Sequence, residues 1–247
     1  MSPVQGAQGR FEIDAGQINK AYTNFKTDAA GSPDNTKRDH DDTRFGGTFF
    51  WRVAPKTQLV FQIVQTKYDY KQNSFGTWTA PDSTERKYLV GATWEATANT
   101  TGIFKVGNVK KDFDSAALSD YSKSGWEGTI KWSPLTYSTV DFTTSRLPSE
   151  ASLGNLSSDT KHGISWNHAW NSRLSSVASY NYTGMDFIGN AGVLQSDKIN
   201  AYGLKLNYQW MRTVKLGVGY DHTNKTSSVP TSEYKKNLWS VFMNAAI

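Results

Sequence analysis

The sequence predicts an all-β chain folded as a transmembrane antiparallel up-and-down β-barrel of about twelve strands. Three observations carry this. Tryptophan recurs with a period of about forty residues. Each period holds two long alternating runs. Aromatic residues make up 13% of the chain although its mean hydropathy is −0.58. A soluble core would lean on Leu, Ile and Val; a membrane barrel needs an apolar residue only at every second strand position and gathers rings at both interfaces.

The period is marked by Trp51, Trp94, Trp132, Trp170 and Trp210, spaced 43, 38, 38 and 40 residues apart. Turn chemistry follows each: Ala54-Pro55-Lys56-Thr57, Thr97-Ala98-Asn99-Thr100, Ser133-Pro134-Leu135-Thr136, Asn171-Ser172-Arg173 and Met211-Arg212-Thr213. A propeller blade of this length would hold four short strands. Two runs of ten to fourteen residues instead match a hairpin of membrane-crossing strands, which need about nine to eleven residues each.

In chain order the predicted strands are 10–22, 44–55, 57–71, 84–96, 101–113, 121–133, 138–149, 159–170, 173–185, 197–211, 213–225 and 233–247. Alternation is clearest late in the chain. Tyr202, Leu204, Leu206, Tyr208 and Trp210 form one side of their run, with Gly203, Lys205, Asn207 and Gln209 on the other. Val214, Leu216, Val218 and Tyr220 alternate with Lys215, Gly217, Gly219 and Asp221; Trp126, Gly128, Ile130 and Trp132 alternate with Glu127, Thr129 and Lys131. Period two with one apolar side places a strand between unlike environments. The short turns above alternate with longer polar segments near 23–43, 72–83, 114–120, 150–158, 186–196 and 226–232, rich in Asp, Asn, Ser, Gly and Thr. Short turns at one rim and long loops at the other describe an outer-membrane barrel with periplasmic turns and extracellular loops. Residues 10–247 are read as a single barrel domain, 1–9 as a flexible N-terminus, and Met1-Ser2-Pro3-Val4 as the start of a mature form without its export signal.

A soluble sandwich is the competing fold. Twelve such strands carry too little apolar surface to cover two sheets, and a tryptophan at a fixed place near each strand end fits an interfacial girdle. Trp51, Trp94, Trp132, Trp170 and Trp210 are assigned to that girdle. At a strand spacing of about 4.8 Å and a tilt of about 40°, twelve strands enclose a backbone cylinder roughly 24 Å across, with a lumen of about 10 Å.

The polar side is expected to line a pore with Glu12, Asp14, Arg52, Glu95, Lys105, Glu127, Lys131, Asp141, Lys205, Asn207, Lys215 and Asp221. Five are cationic and six anionic, a nearly balanced wall that suits a neutral or weakly charged solute such as a sugar chain. The same charges would pair across strands in a barrel that they merely fill. No enzyme is expected: the chain has no Gly-x-Ser-x-Gly and no His-Glu-x-x-His, His40 falls in the longest predicted loop, and His168 lies on the apolar side beside Trp166 and Trp170. The absence of cysteine excludes disulfides and thiolate metal sites. The Asp-rich stretch 34–42 reads as a solvated loop, so neither metal nor cofactor is expected. With 27 Lys and Arg against 22 Asp and Glu, spread evenly, nucleic acid is not an expected partner.

Residues 44–247 resemble the β-barrel porin type 2 family. The resemblance is carried by Trp132-Ser133-Pro134-Leu135-Thr136-x-x-Thr139-Val140-Asp141-Phe142-x-x-x-Arg146, by Trp51-x-x-Ala54-Pro55-x-Thr57-x-Leu59, and by Gly217-Val218-Gly219-Tyr220-Asp221 before the last strand. It implies a Gram-negative outer-membrane channel that passes polysaccharide or oligosaccharide, with exopolysaccharide export as the implied direction. The implied partners are outer-membrane lipid and lipopolysaccharide, a glycan solute and periplasmic export machinery. Family members are usually longer, and no catalytic residues carry over. A narrow oligosaccharide-uptake porin and a plugged structural or adhesive barrel are the alternative expectations.

Overall fold

The computed structural model describes residues 8–23, 38–72, 79–97, 99–150 and 155–245. Among these there are twelve strands: β1 Gly9–Lys20, β2 His40–Ala54, β3 Thr57–Tyr70, β4 Ser83–Thr97, β5 Thr100–Phe113, β6 Tyr121–Leu135, β7 Ser138–Ser149, β8 Leu156–Ala169, β9 Leu174–Gly189, β10 Gly192–Met211, β11 Val214–Ser227 and β12 Tyr234–Ala245. Each is hydrogen-bonded to its neighbours in sequence, in the order β1 to β12 with no crossover. This is the up-and-down antiparallel topology of an outer-membrane barrel. No helix among the described residues is long and apolar enough to cross a membrane.

Contacts divide the chain into two compact units. The first comprises Met1–Ala54, Gln58–Gly91 and Val106–Gly125; the second comprises Pro55–Thr57, Ala92–Lys105 and Trp126–Ile247. The predicted flexible N-terminus lies outside the described residues, except that Gln8 precedes the strand and Gly9 opens β1.

In the second unit, pairing fixes which side chains share a face. The chain of partners Trp132, Val140, Trp166, Ala178, Leu204, Tyr220 and Trp239 runs across β6 to β12 in register. A parallel row joins Leu174, Tyr208, Leu216 and Met243. The large side chains of these rows are exposed or half-buried, with Trp239 78% and Met243 65% accessible. Exposure of that magnitude in contiguous rows is the signature of a surface solvated by lipid. In the first unit the same face carries Phe11, Ile13, Phe45, Phe49, Val53, Phe61 and Ile63, all exposed.

Several predicted boundaries move. His40 opens β2, four residues before the predicted strand start, so it is not a loop residue; it is fully buried. Pro134 and Leu135 belong to β6, not to the turn. The register shifts between Trp132 and Leu135, and such an irregularity accommodates a residue with no N–H to donate. The turn itself is Thr136-Tyr137. The segment 186–196 is not a long loop. β9 and β10 continue to a two-residue turn, Asn190-Ala191, with Gly189 opposite Gly192. Gly192 has φ +115°, a conformation open to glycine and strained for other residues. At the opposite rim the Asn171 side chain closes the β8–β9 turn, accepting from the N–H groups of Arg173 (2.8 Å) and Leu174 (2.9 Å).

Candidate functional site

The face opposite the apolar rows is built from small and polar residues in the second unit. Across the sheet, Lys131, Asp141, Ser165, Ser179, Gly203 and Asp221 share one row; Asn167, Val177, Lys205, Gly219 and Ser240 share the next. Small side chains here leave the face open. Where larger groups occur they use the space above glycine: the Phe242 ring lies over Gly217, where a Cβ would stand 2.1 Å from the ring.

All twelve predicted pore-lining residues have inward parity, judged from pairing and from alternation with the exposed apolar positions. In the first unit Glu12 and Asp14 pair with Thr48 and Gly46, and Arg52 alternates with Trp51 and Val53. Arg44 donates to Asp14 at 2.9 Å and Arg10 to Glu12 at 2.6 Å. In the second unit Lys131 stands directly opposite Asp141, Asn207 opposite Gly217, and Asp221 opposite Gly203. Lys205 faces Gly219, and Lys215 faces Gln209 at the short-turn rim. Glu95 is at that rim too, where its N–H donates to the Lys56 carbonyl.

Lys105 and Glu127 are brought into an ion pair. Lys105 is 9% accessible, so the pair is the most enclosed part of a recess of 420 Å³ on the inner face. Thr129, Thr143, Ser145 and Lys161 complete its polar lining. The recess thus presents two ammonium groups, one carboxylate and three hydroxyls. Such a set recognises a polyhydroxylated solute by many weak, exchangeable hydrogen bonds.

The first unit holds a cluster that the sequence reading did not find. At the long-loop end, His40 stacks on Tyr70 at 4.6 Å and lies 6.2 and 6.3 Å from Tyr68 and Tyr22. Lys111 Nζ sits 3.9 Å above the Tyr68 ring, and the Arg38 guanidinium 4.5 Å above Tyr22. Tyr68, Tyr70 and Tyr22 are half-buried, while His40 and Lys111 are buried. The available signal was Tyr68-x-Tyr70 at strand spacing, hidden because it abuts a polar segment. The inner face of this unit also buries Val60, Val64, Leu89 and Val109, so it is not uniformly polar.

The five predicted girdle tryptophans all carry the parity of the apolar face. Trp51, Trp132, Trp170 and Trp210 are exposed; Trp94 is half-buried, its ring over Gly102. Not every indole N–H depends on water. Trp170 donates to Ser176 Oγ (3.0 Å) and Trp166 to Ser138 Oγ (2.9 Å), both buried hydroxyls of neighbouring strands. His168 packs among Trp166, Trp170 and Tyr137, at ring distances of 5.2, 4.4 and 5.4 Å. Trp126, Tyr180, Tyr182, Tyr202, Tyr220 and Trp239 add further rings to the same face, nearer mid-strand.

The family described as putative beta-barrel porin 2 matches residues 4–246. No curated protein matches. Among solved structures, two variants of the FrpB iron transporter from Neisseria meningitidis are similar, at TM-scores of 0.55 and 0.56 with 12% and 13% identity. The alignments cover 85% and 83% of this chain but 41% of each transporter, so the chain spans about two-fifths of their length. OmpT, an outer membrane protein of Vibrio cholerae, aligns over 98% of both chains at 9% identity and a TM-score of 0.42. Likeness at these identities concerns the fold. The family match and the barrel fold place the protein in the bacterial outer membrane.

Proposed function

The chain belongs to the putative beta-barrel porin 2 family, and from that premise we propose that it is a passive, non-enzymatic channel for polysaccharide or oligosaccharide. The observation that carries the reading is the inner-face recess, where Lys105, Glu127 and Lys161 stand among the hydroxyls of Thr129, Thr143 and Ser145. A sugar chain offers hydroxyls and ring oxygens at every step and needs such a surface to slide along. The half-buried tyrosines at the long-loop end of the first unit support the same cargo, since pyranose C–H faces pack on aromatic rings. Export of an exopolysaccharide, handed on by periplasmic machinery, is the direction of this proposal.

The test is single-channel conductance in planar bilayers after refolding in detergent. An open channel gives stable unitary steps that long acidic glycans block at lower concentration than short neutral ones. The reverse order favours a narrow uptake porin. A closed structural barrel is the second reading, favoured by the buried Val60, Val64, Leu89 and Val109 on the inner face of the first unit; it predicts correctly refolded protein with no conductance.

A further inference from the structure

The outward surface of β5 to β9 has a recess that lipid-facing strands do not need. It has a volume of 480 Å³ and is walled by Phe104, Ile130, Phe142, Ile164 and Tyr180. Gly128 lies at its base, and the Phe104 ring lies over it, in the space a Cβ would take. The walls match an acyl chain in chemistry.

Above the recess, toward the long loops, the surface changes character within two residues. The first row up carries Thr144, His162, Tyr182 and Asn200. It is knitted together: Trp126 Nε1 donates to Thr144 Oγ1 (2.9 Å), His162 Nδ1 lies 3.0 Å from the same hydroxyl, and His162 stacks on Tyr182 at 5.9 Å. The next row runs Trp126, Arg146, Thr160, Gly184 and Lys198. Arg146 and Lys198 are three strands apart, about 14 Å at the spacing of a sheet. Between them in the row lie Thr160 and Gly184, with the Tyr182 hydroxyl over Gly184. The Arg146 guanidinium is 5.7 Å from the Trp126 ring, and its Nε is buried with no hydrogen-bond partner. Lys198 is exposed. The nearest carboxylate in the register, Asp186, lies two residues along β9 and accepts a hydrogen bond from Ser196 (2.7 Å).

We propose that this outward face binds a phosphorylated, multi-acyl glycolipid of the outer leaflet, with an acyl chain in the Gly128 recess and phosphates on Arg146 and Lys198. An apolar cleft below Arg146, with Lys198 one strand beyond its edge, fits a ligand that is apolar at one end and doubly anionic at the other. Arginine holds phosphate in a planar fork and lysine as a point charge. Between them the hydroxyls of Thr160 and Tyr182 offer hydrogen-bond partners to a disaccharide headgroup. The site depends on the outer-membrane location and not on any particular cargo for the lumen.

The experiment refolds the full chain in detergent and titrates it with bisphosphorylated hexa-acyl lipid A, followed by native mass spectrometry and by quenching of tryptophan fluorescence with bromine-labelled chains. Dephosphorylated lipid A and phosphatidylglycerol are the comparison lipids. Bisphosphorylated lipid A is expected to bind at least tenfold more tightly than either, and Arg146→Ala with Lys198→Ala to erase that preference. Ile164→Trp, which fills the recess, should weaken lipid A and its dephosphorylated form alike. Heat-modifiable gel migration shows that each variant has folded. Equal binding of the three lipids by the unaltered chain overturns the site, as does full retention of the preference in the folded double variant.

Discussion

At the scale of single residues, close approach of backbones decides which positions tolerate change. A Cβ on Gly107 would lie 1.8 Å from the carbonyl oxygen of Tyr88 on the adjacent strand. Backbone cannot swing aside as a side chain can, so β4 and β5 would have to separate. Gly107→Ala is expected to destabilise by about 2–3 kcal/mol, read as a lowered urea midpoint for the loss of the heat-modifiable band. Asp197 shows how charge acts at the same scale. It lies beyond the exposed apolar stretch Tyr202–Trp210 of β10 and is 2% accessible. Burial pushes its carboxyl up, but hydrogen bonds from Lys225 (2.7 Å), Ser227 and Gln195 (2.8 Å) outweigh that, and the net position is below the ordinary carboxylate value. A lowered folded-state value means stability that is complete above the ordinary value near 4 and disappears as pH falls through the lower one. Amide protection factors at the outer end of β10 should therefore be unchanged between about pH 7 and pH 5 and fall below about pH 4. Asp197→Asn should lower them between about pH 7 and pH 5.

At the scale of the strand, parity is the whole argument. Leu206 faces the apolar row and Asn207 the polar one, one residue apart. Arginine at Leu204, Leu206 or Val218 is expected to cost about 2–4 kcal/mol near the bilayer midplane, while Asn207→Arg stays near neutral; folding free energies from urea titration in lipid vesicles measure both. Parity also explains what could be read in advance. β10, β11 and β12 alternate cleanly between lipid-type and polar residues, so their faces were legible. β3 was less so: Leu59, Phe61 and Ile63 point outward while Val60 and Val64 are buried inward, and two apolar faces leave no period to detect. Pro134 read as a turn because proline lacks a donor, yet a register shift absorbs the same defect within a strand.

At the scale of the whole molecule, strand count and order followed from the tryptophan period, because each hairpin repeats one architectural unit and an up-and-down sheet needs no long-range pairing information. The recess around Lys105 and Glu127 was legible only as two residues of correct parity. Their meeting depends on how β5 and β6 are staggered, which alternation does not encode. The His40, Tyr68, Tyr70 and Lys111 cluster was illegible for a related reason: sequence assigns His40 to a loop and the other three to the ends of strands whose stagger alternation does not encode. Refolded protein is expected to migrate faster unboiled than boiled, as a cross-strand ladder resists detergent until heated. A lowered urea midpoint for this shift in Gly107→Ala, set against an unchanged one in Asn207→Arg, separates damage to the sheet from change to its inner surface.

The long β9–β10 ribbon has a consequence for intact cells. Twenty residues in β10, rising about 3.3 Å each, outreach the hydrocarbon layer and lift the Asn190-Ala191 tip away from the bilayer. A short epitope tag spliced at that tip should be stained by antibody on unpermeabilised bacteria. The same tag placed between Arg212 and Thr213 should become visible after the envelope is breached, which fixes the vectorial sense of the polypeptide with one pair of strains.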